Sequence, residues 1–101
     1  MTGANRYEMP PDAMLQIADG ESLLVKLVDE EMYALNQTGT EIVRRIVDGQ
    51  TVDSVIGELS DIYGADSADV ARDVQDLIKD LVKRGLLVAR DDAHRDGSQP
   101  G

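Results

Sequence analysis

The stretch MLQIADGESLLVKLVDEEMYALNQTGTEIVRRIV, residues 14–47, changes its hydrophobic period part-way along. Up to Leu35 the apolar residues fall into three short runs, MLQIA, SLLVKLV and MYAL, separated by Asp19-Gly20 and by Asp29-Glu30. Short apolar runs bounded by turn residues are strand signals. Asp-Gly is the composition of a type I′ hairpin turn, because both central positions need φ > 0 and glycine supplies it without steric cost. A hairpin is therefore expected over the first two runs. Asp29-Glu30 has no glycine, so the second connection is either this dipeptide or a loop one or two residues longer, and the register there stays open. After Leu35 the period becomes about 3.6. Ile42, Val43, Ile46 and Val47 make one apolar stripe, with Asn36 or Thr38 as N-cap and Gly49 as the stop.

Downstream, Val52, Val55, Ile56, Leu59 and Ile62 repeat at helical spacing after Thr51, an N-cap residue, and the run ends at Gly64. Asp66 followed by Asp69 opens the longest segment, where Val70, Val74, Leu77, Ile78, Leu81 and Val82 form a stripe that finishes at Gly85. This third helical face is broader than packing on one neighbour demands. Leu86, Leu87 and Val88 are expected to tuck back as a short extended segment. The result is an α+β fold, a three-stranded antiparallel sheet packed on three helices, winged-helix-like in outline. Residues 1–12 read as a flexible arm in which Tyr7 or Met9 is available to dock, residues 13–89 as the folded domain, and residues 90–101 as a disordered polar tail.

A chain of 101 residues accommodates one domain. Its apolar content of 42% is ordinary, yet it has no Trp, no Phe and only three Tyr, so the core must be aliphatic. The formal charge of -10 opposes phosphate backbones and anionic headgroups, which argues against nucleic-acid and membrane partners. No signal-peptide or bilayer-spanning run is present, and a cytoplasmic location is expected. Zero cysteines remove disulfides, thiolate nucleophiles and sulfur ligands. The single histidine, His94, falls in the polar tail, so neither a Ser/His/Asp nor a Cys/His arrangement is available, and the chain is not expected to be an enzyme. Asp91-Asp92 lies in the same tail and no calcium-loop pattern occurs, so no metal or other cofactor is expected. Winged-helix DNA binding is disfavoured by the third helix, which sets Asp69, Asp73, Asp76 and Asp80 against Arg72, Lys79, Lys83 and Arg84, four of each sign.

What remains is a short sheet with free edges and a helix with surplus apolar surface. MYAL carries neither the charge nor the proline that usually blunts an exposed edge. An extended peptide can add to such an edge, using main-chain hydrogen bonds for affinity and side-chain pockets for specificity. From composition and period alone, the plainer reading of Met32, Tyr33, Ala34 and Leu35 is core strand, with the broad helical face packed on the first two helices.

The order of landmarks from Leu23 to Val88 bears on that choice. LLVKLVDEEMYALN is followed by Asn36-Gln37-Thr38-Gly39, Asp48-Gly49, Leu59, Tyr63-Gly64, the ARDV segment at 71–74, Leu77, Leu81 and Gly85-Leu86-Leu87. This series resembles the PqqD-like leader-binding domains, also called RiPP recognition elements, and within them the free-standing lasso-peptide branch. The resemblance implies a non-enzymatic adaptor. It would take the leader of a precursor peptide as a fourth strand beside the third and deliver it to a leader peptidase or another modifying enzyme. It implies that Glu31, Met32, Tyr33, Ala34 and Leu35 pair with the peptide, that Val74, Leu77, Ile78 and Leu81 form an apolar floor, and that Asp73, Asp76, Lys79, Asp80 and Lys83 form a charged rim. Aspartate at Leu35 or Ile78 would then weaken binding with the fold intact. A carrier for a radical-SAM enzyme, as in pyrroloquinoline quinone biosynthesis, is the alternative within the family. A winged-helix regulator and a purely structural subunit of a larger enzyme lie outside it. A monomer or weak homodimer is expected.

Overall fold

Asp19 and Gly20 take φ values of 55° and 83°, the two left-handed conformations that a type I′ turn requires. The computed structural model describes residues 5–90. Its elements in chain order are β1 (Tyr7–Glu8), β2 (Ala13–Ala18), β3 (Glu21–Lys26), β4 (Glu31–Leu35), α1 (Gln37–Val47), α2 (Val52–Tyr63), α3 (Ser67–Lys83) and β5 (Val88–Ala89). The three apolar runs form one antiparallel sheet in the order β2-β3-β4. The α+β architecture expected from the sequence is the architecture of the protein.

The second connection is the longer of the two expected forms. Lys26 pairs with Glu31, so residues 27–30 make the loop, and Glu30 alone adopts the left-handed conformation, at φ 58°. Without glycine, Asp29-Glu30 cannot easily place two successive residues at positive φ. Leu27 and Val28 consequently leave the strand and stand 53% and 74% exposed.

Each helix begins where a capping side chain satisfies a free backbone N–H. Asn36 accepts from Gly39 N at 2.8 Å, Thr51 from Ser54 N at 3.1 Å and Asp66 from Ala68 N at 3.0 Å. Such a cap contributes about 1 kcal/mol. Cross-strand register puts Leu15, Leu24 and Tyr33 in one row on the inner face of the sheet. Leu24 is fully buried there, beneath Ile42, Val43 and Ile46 of α1, Val55 and Leu59 of α2, and Val74, Ile78 and Leu81 of α3. Ile62, assigned to the second stripe, is instead exposed at the far end of α2. A buried hydrogen bond of 2.7 Å between the Ser22 and Thr40 hydroxyls ties β3 to the first turn of α1.

The expectation of a loose N-terminal arm is corrected over residues 5–12. Tyr7 and Glu8 pair with Ala89 and Val88, Arg90 N donates to Arg6 O at 2.9 Å, and Val52 N donates to Asn5 O at 2.8 Å. Leu86 and Leu87 are buried, which fixes β5 and offers its edge to the arm, while Tyr7 and Met9 pack against the core. Residues 91–101, with Asp91, Asp92 and His94, lie outside the described residues. No helix among the described residues is long and apolar enough to cross a membrane.

Candidate functional site

β4 is hydrogen-bonded to β3 on one side only, and no strand among the described residues pairs with its other side. Alternate N–H and C=O groups on that edge are left to solvent or to an added strand. Beside this edge runs a groove of about 670 Å³, walled by Tyr33, Ala34 and Leu35 of β4, Asp73 and Leu77 of α3, Thr38, Gly39 and Ile42 of α1, and Asn36 and Glu21. Gly39 sits at a tight corner at one end. A Cβ there would come within 3.2 Å of Leu35 Cδ2 and 3.3 Å of the capping Asn36 Oδ1.

The other end is braced. Tyr33 Oη donates to Asp80 Oδ2 at 2.7 Å, Arg84 Nε donates to Asp80 Oδ1 at 3.2 Å, and the Arg84 guanidinium lies 4.9 Å from the centre of the Tyr33 ring. The hydrogen bond to Asp80 raises the Tyr33 hydroxyl above the usual phenol value, with partial burial adding to it. The same bond holds the Asp80 carboxyl below the usual aspartate value, helped by Arg84. Three side chains thus span the space between β4 and α3 without filling the groove.

Of the residues singled out in the sequence, Tyr33, Ala34, Leu35, Asp73 and Leu77 come together on the groove, and Asp80 joins them through Tyr33. Val74, Ile78 and Leu81 belong to the core, so the apolar surface of α3 that faces the groove is Leu77. Lys79 and Ile78 line a second cavity, of about 490 Å³, with Tyr7, Val52, Gln75, Val82 and Ala89. Asp76, Lys83 and Glu31 are exposed and line neither cavity. Met32 is 68% exposed and, with Met14 and Val25, makes a cross-strand row on the outer face of the sheet. Leu35 and Ile78 are only 4% and 5% exposed. Aspartate at either would bury a charge and unfold the chain, so the expectation that these variants keep the fold is overturned. Glu21, Asn36, Thr38, Gly39 and Ile42 were missed. The signal was present in LNQTG, where a single residue, Asn36, separates the end of the strand from the start of the helix, so that the helix must close the groove itself.

A free sheet edge set beside a helix face, within a small α+β domain, defines the class. Residues 21–87 match the family described as Coenzyme PQQ synthesis protein D (PqqD), and the chain belongs to that family. A PqqA binding protein from Rhodopseudomonas palustris (strain BisB5) is 30% identical over 91 residues, covering 89% of this chain and 89% of the relative. The PqqA binding protein of strain TIE-1 is 29% identical over 83 residues, covering 82% and 81%. Among solved structures, a lasso peptide synthetase B1 complexed with the leader peptide is similar with a TM-score of 0.77 at 25% identity, over 82% of this chain and 98% of that one. TbiB1 in complex with the TbiA(beta) leader peptide shares the fold, with a TM-score of 0.75 at 20% identity, over 88% and 99%.

Proposed function

We propose that the protein is a non-catalytic adaptor that binds the leader segment of a ribosomally synthesised precursor peptide by strand addition to β4, and presents it to a leader peptidase or another modifying enzyme. The observation that carries this reading is the unpaired edge of β4 opening onto the groove against α3. Main-chain pairing supplies affinity there, and Leu35, Ile42 and Leu77 supply an apolar seat for alternate side chains. Support comes from the similarity to a synthetase B1 complexed with its leader peptide, and from relatives described as PqqA binding proteins. The absence of cysteine and the single histidine fit a holding rather than a catalytic role. The protein works in the cytoplasm as a monomer or weak homodimer.

The lasso-peptide branch is the first reading, and the PqqA-binding relatives favour carriage of a peptide to a radical-SAM enzyme as the second. Fluorescence anisotropy with the leader encoded beside this gene tests both. Saturable binding is expected, weakened about tenfold or more by Leu77→Asp, because a half-buried contact at the groove is replaced by a charge while the core is spared. No saturable binding up to high micromolar peptide would sink the proposal. Faster leader cleavage by the neighbouring peptidase in the presence of this protein selects the first branch; faster turnover by a radical-SAM enzyme selects the second.

A further inference from the structure

The geometry points to the outer edge of β2 as a contact between two copies of this chain, paired antiparallel about a two-fold axis to give one six-stranded sheet. The direction of each backbone group on that strand follows from a single bond. Leu27 N donates to Asp12 O at 2.7 Å, so Asp12 and Leu27 form a hydrogen-bonded pair that continues the register of Ala13 with Lys26. Such pairs alternate along an antiparallel ladder. Met14, Gln16 and Ala18 therefore turn their N–H and C=O groups toward β3, while Ala13, Leu15 and Ile17 turn theirs outward. Ala13 N donates to Pro10 O at 3.0 Å, which ends the free edge there. No strand among the described residues pairs with that side of β2, so both groups of Leu15 and of Ile17 stand open.

Free edges are usually blunted by charge or proline, and AMLQIA, residues 13–18, has neither. Its faces are open as well. α1 packs on β3 and β4, and Ile17, although it shares the inner row of Ser22 and Leu35, is 48% exposed. A free ladder is matched in full only by another strand, and this one matches itself. Side chains alternate between faces, so two-fold pairing, which keeps facing residues on one side of the sheet, must be centred on a residue. Centred on Gln16, it sets Leu15 of each copy against Ile17 of the other, and every open N–H and C=O of those residues finds a partner. Met14 then meets Ala18 across the outer face. Centred on Leu15 instead, it would set Ile17 against Ala13, whose N–H is already bonded. One strand pair is far smaller than the roughly 1,600 Å² of a standard interface, and Asp12 and Asp19 flank it in a chain of formal charge -10. The dimer is therefore weak and is strengthened by salt, which screens like charges. Both β4 edges remain open, roughly 24 Å apart at the two ends of the sheet, so self-association does not depend on peptide binding.

Sedimentation velocity on the full chain, over a concentration series reaching millimolar protein, tests this directly. The mean sedimentation coefficient should rise with concentration, and rise further at 0.5 M NaCl than at low salt. Gln16 is exposed and, on the axis, faces its own copy. Gln16→Glu and Gln16→Lys should each weaken association about fivefold at low salt, because each sets like charges directly opposite one another. An equimolar mixture of the two variants should associate again, glutamate facing lysine. An effect of net charge alone would weaken only the glutamate variant. Circular dichroism verifies that both variants fold. A coefficient that stays at the monomer value throughout, association that neither charge at Gln16 weakens, or a mixture no better than either variant alone would overturn the inference.

Discussion

Tyr33 divides its work between the two ends of its side chain. Its ring lies in the core row with Leu24 and beneath Arg84, while its hydroxyl reaches across to Asp80. Tyr33→Phe keeps the ring and removes one hydrogen bond, so urea unfolding should show a loss of about 1 kcal/mol, the net worth of such a bond. Leader affinity should also fall, because β4 and α3 lose their brace; affinity unchanged at reduced stability would separate the brace from the groove. At this scale the sequence was only partly legible. Leu24, Leu35 and Val74 follow from period alone, but Val74 and Leu77 share the same stripe, and only packing decides that the first is core and the second groove. Asp80 and Arg84 were visible as charges; their meeting with Tyr33 across 47 residues was not.

At the scale of elements, the hairpin turn, the helix starts and the helix stops were readable because each is a local rule. Asn36, Thr51 and Asp66 cap their own helices, and Gly20 sets its own turn. The pairing of β1 with β5 was hidden, since two-residue strands carry no period and depend on Leu86 and Leu87 being buried first. β4 supports a sharper expectation. If the leader adds as a strand, backbone amides within residues 31–35 that face away from β3 gain protection from hydrogen exchange on binding, and those of β2 do not. Protection appearing on β2 would place the peptide on the opposite edge of the sheet.

Across the molecule, two carboxyls among the described residues are held below their ordinary range: Glu41 by its hydrogen bond to Arg45, with Arg44 adding, and Asp80 by its bond to Tyr33. Arg45 also donates to Glu58 at 2.7 Å, joining α1 to α2. A depressed folded pKa means the folded state binds fewer protons, so this stability is present above about pH 4 and is lost as pH falls through the folded values. Tyr33, raised by Asp80, has the opposite sign, and its share is present below about pH 10 and lost as pH rises through its folded value. The advantage of the wild type over a Glu41→Gln, Asp80→Asn variant in thermal midpoint should therefore be full at neutral pH and shrink toward pH 3. An advantage that stays constant over that range would show the pairs to be inert. The β1–β5 pairing carries a different consequence. Tyr7 stands opposite Ala89, which sets the first and last strands among the described residues about 5 Å apart. Both of these residues line the cavity that α3 presents away from the groove. A folded unit whose first and last described strands lie side by side suits grafting: residues 7–89 spliced into a surface loop of a larger protein would spread that loop hardly at all.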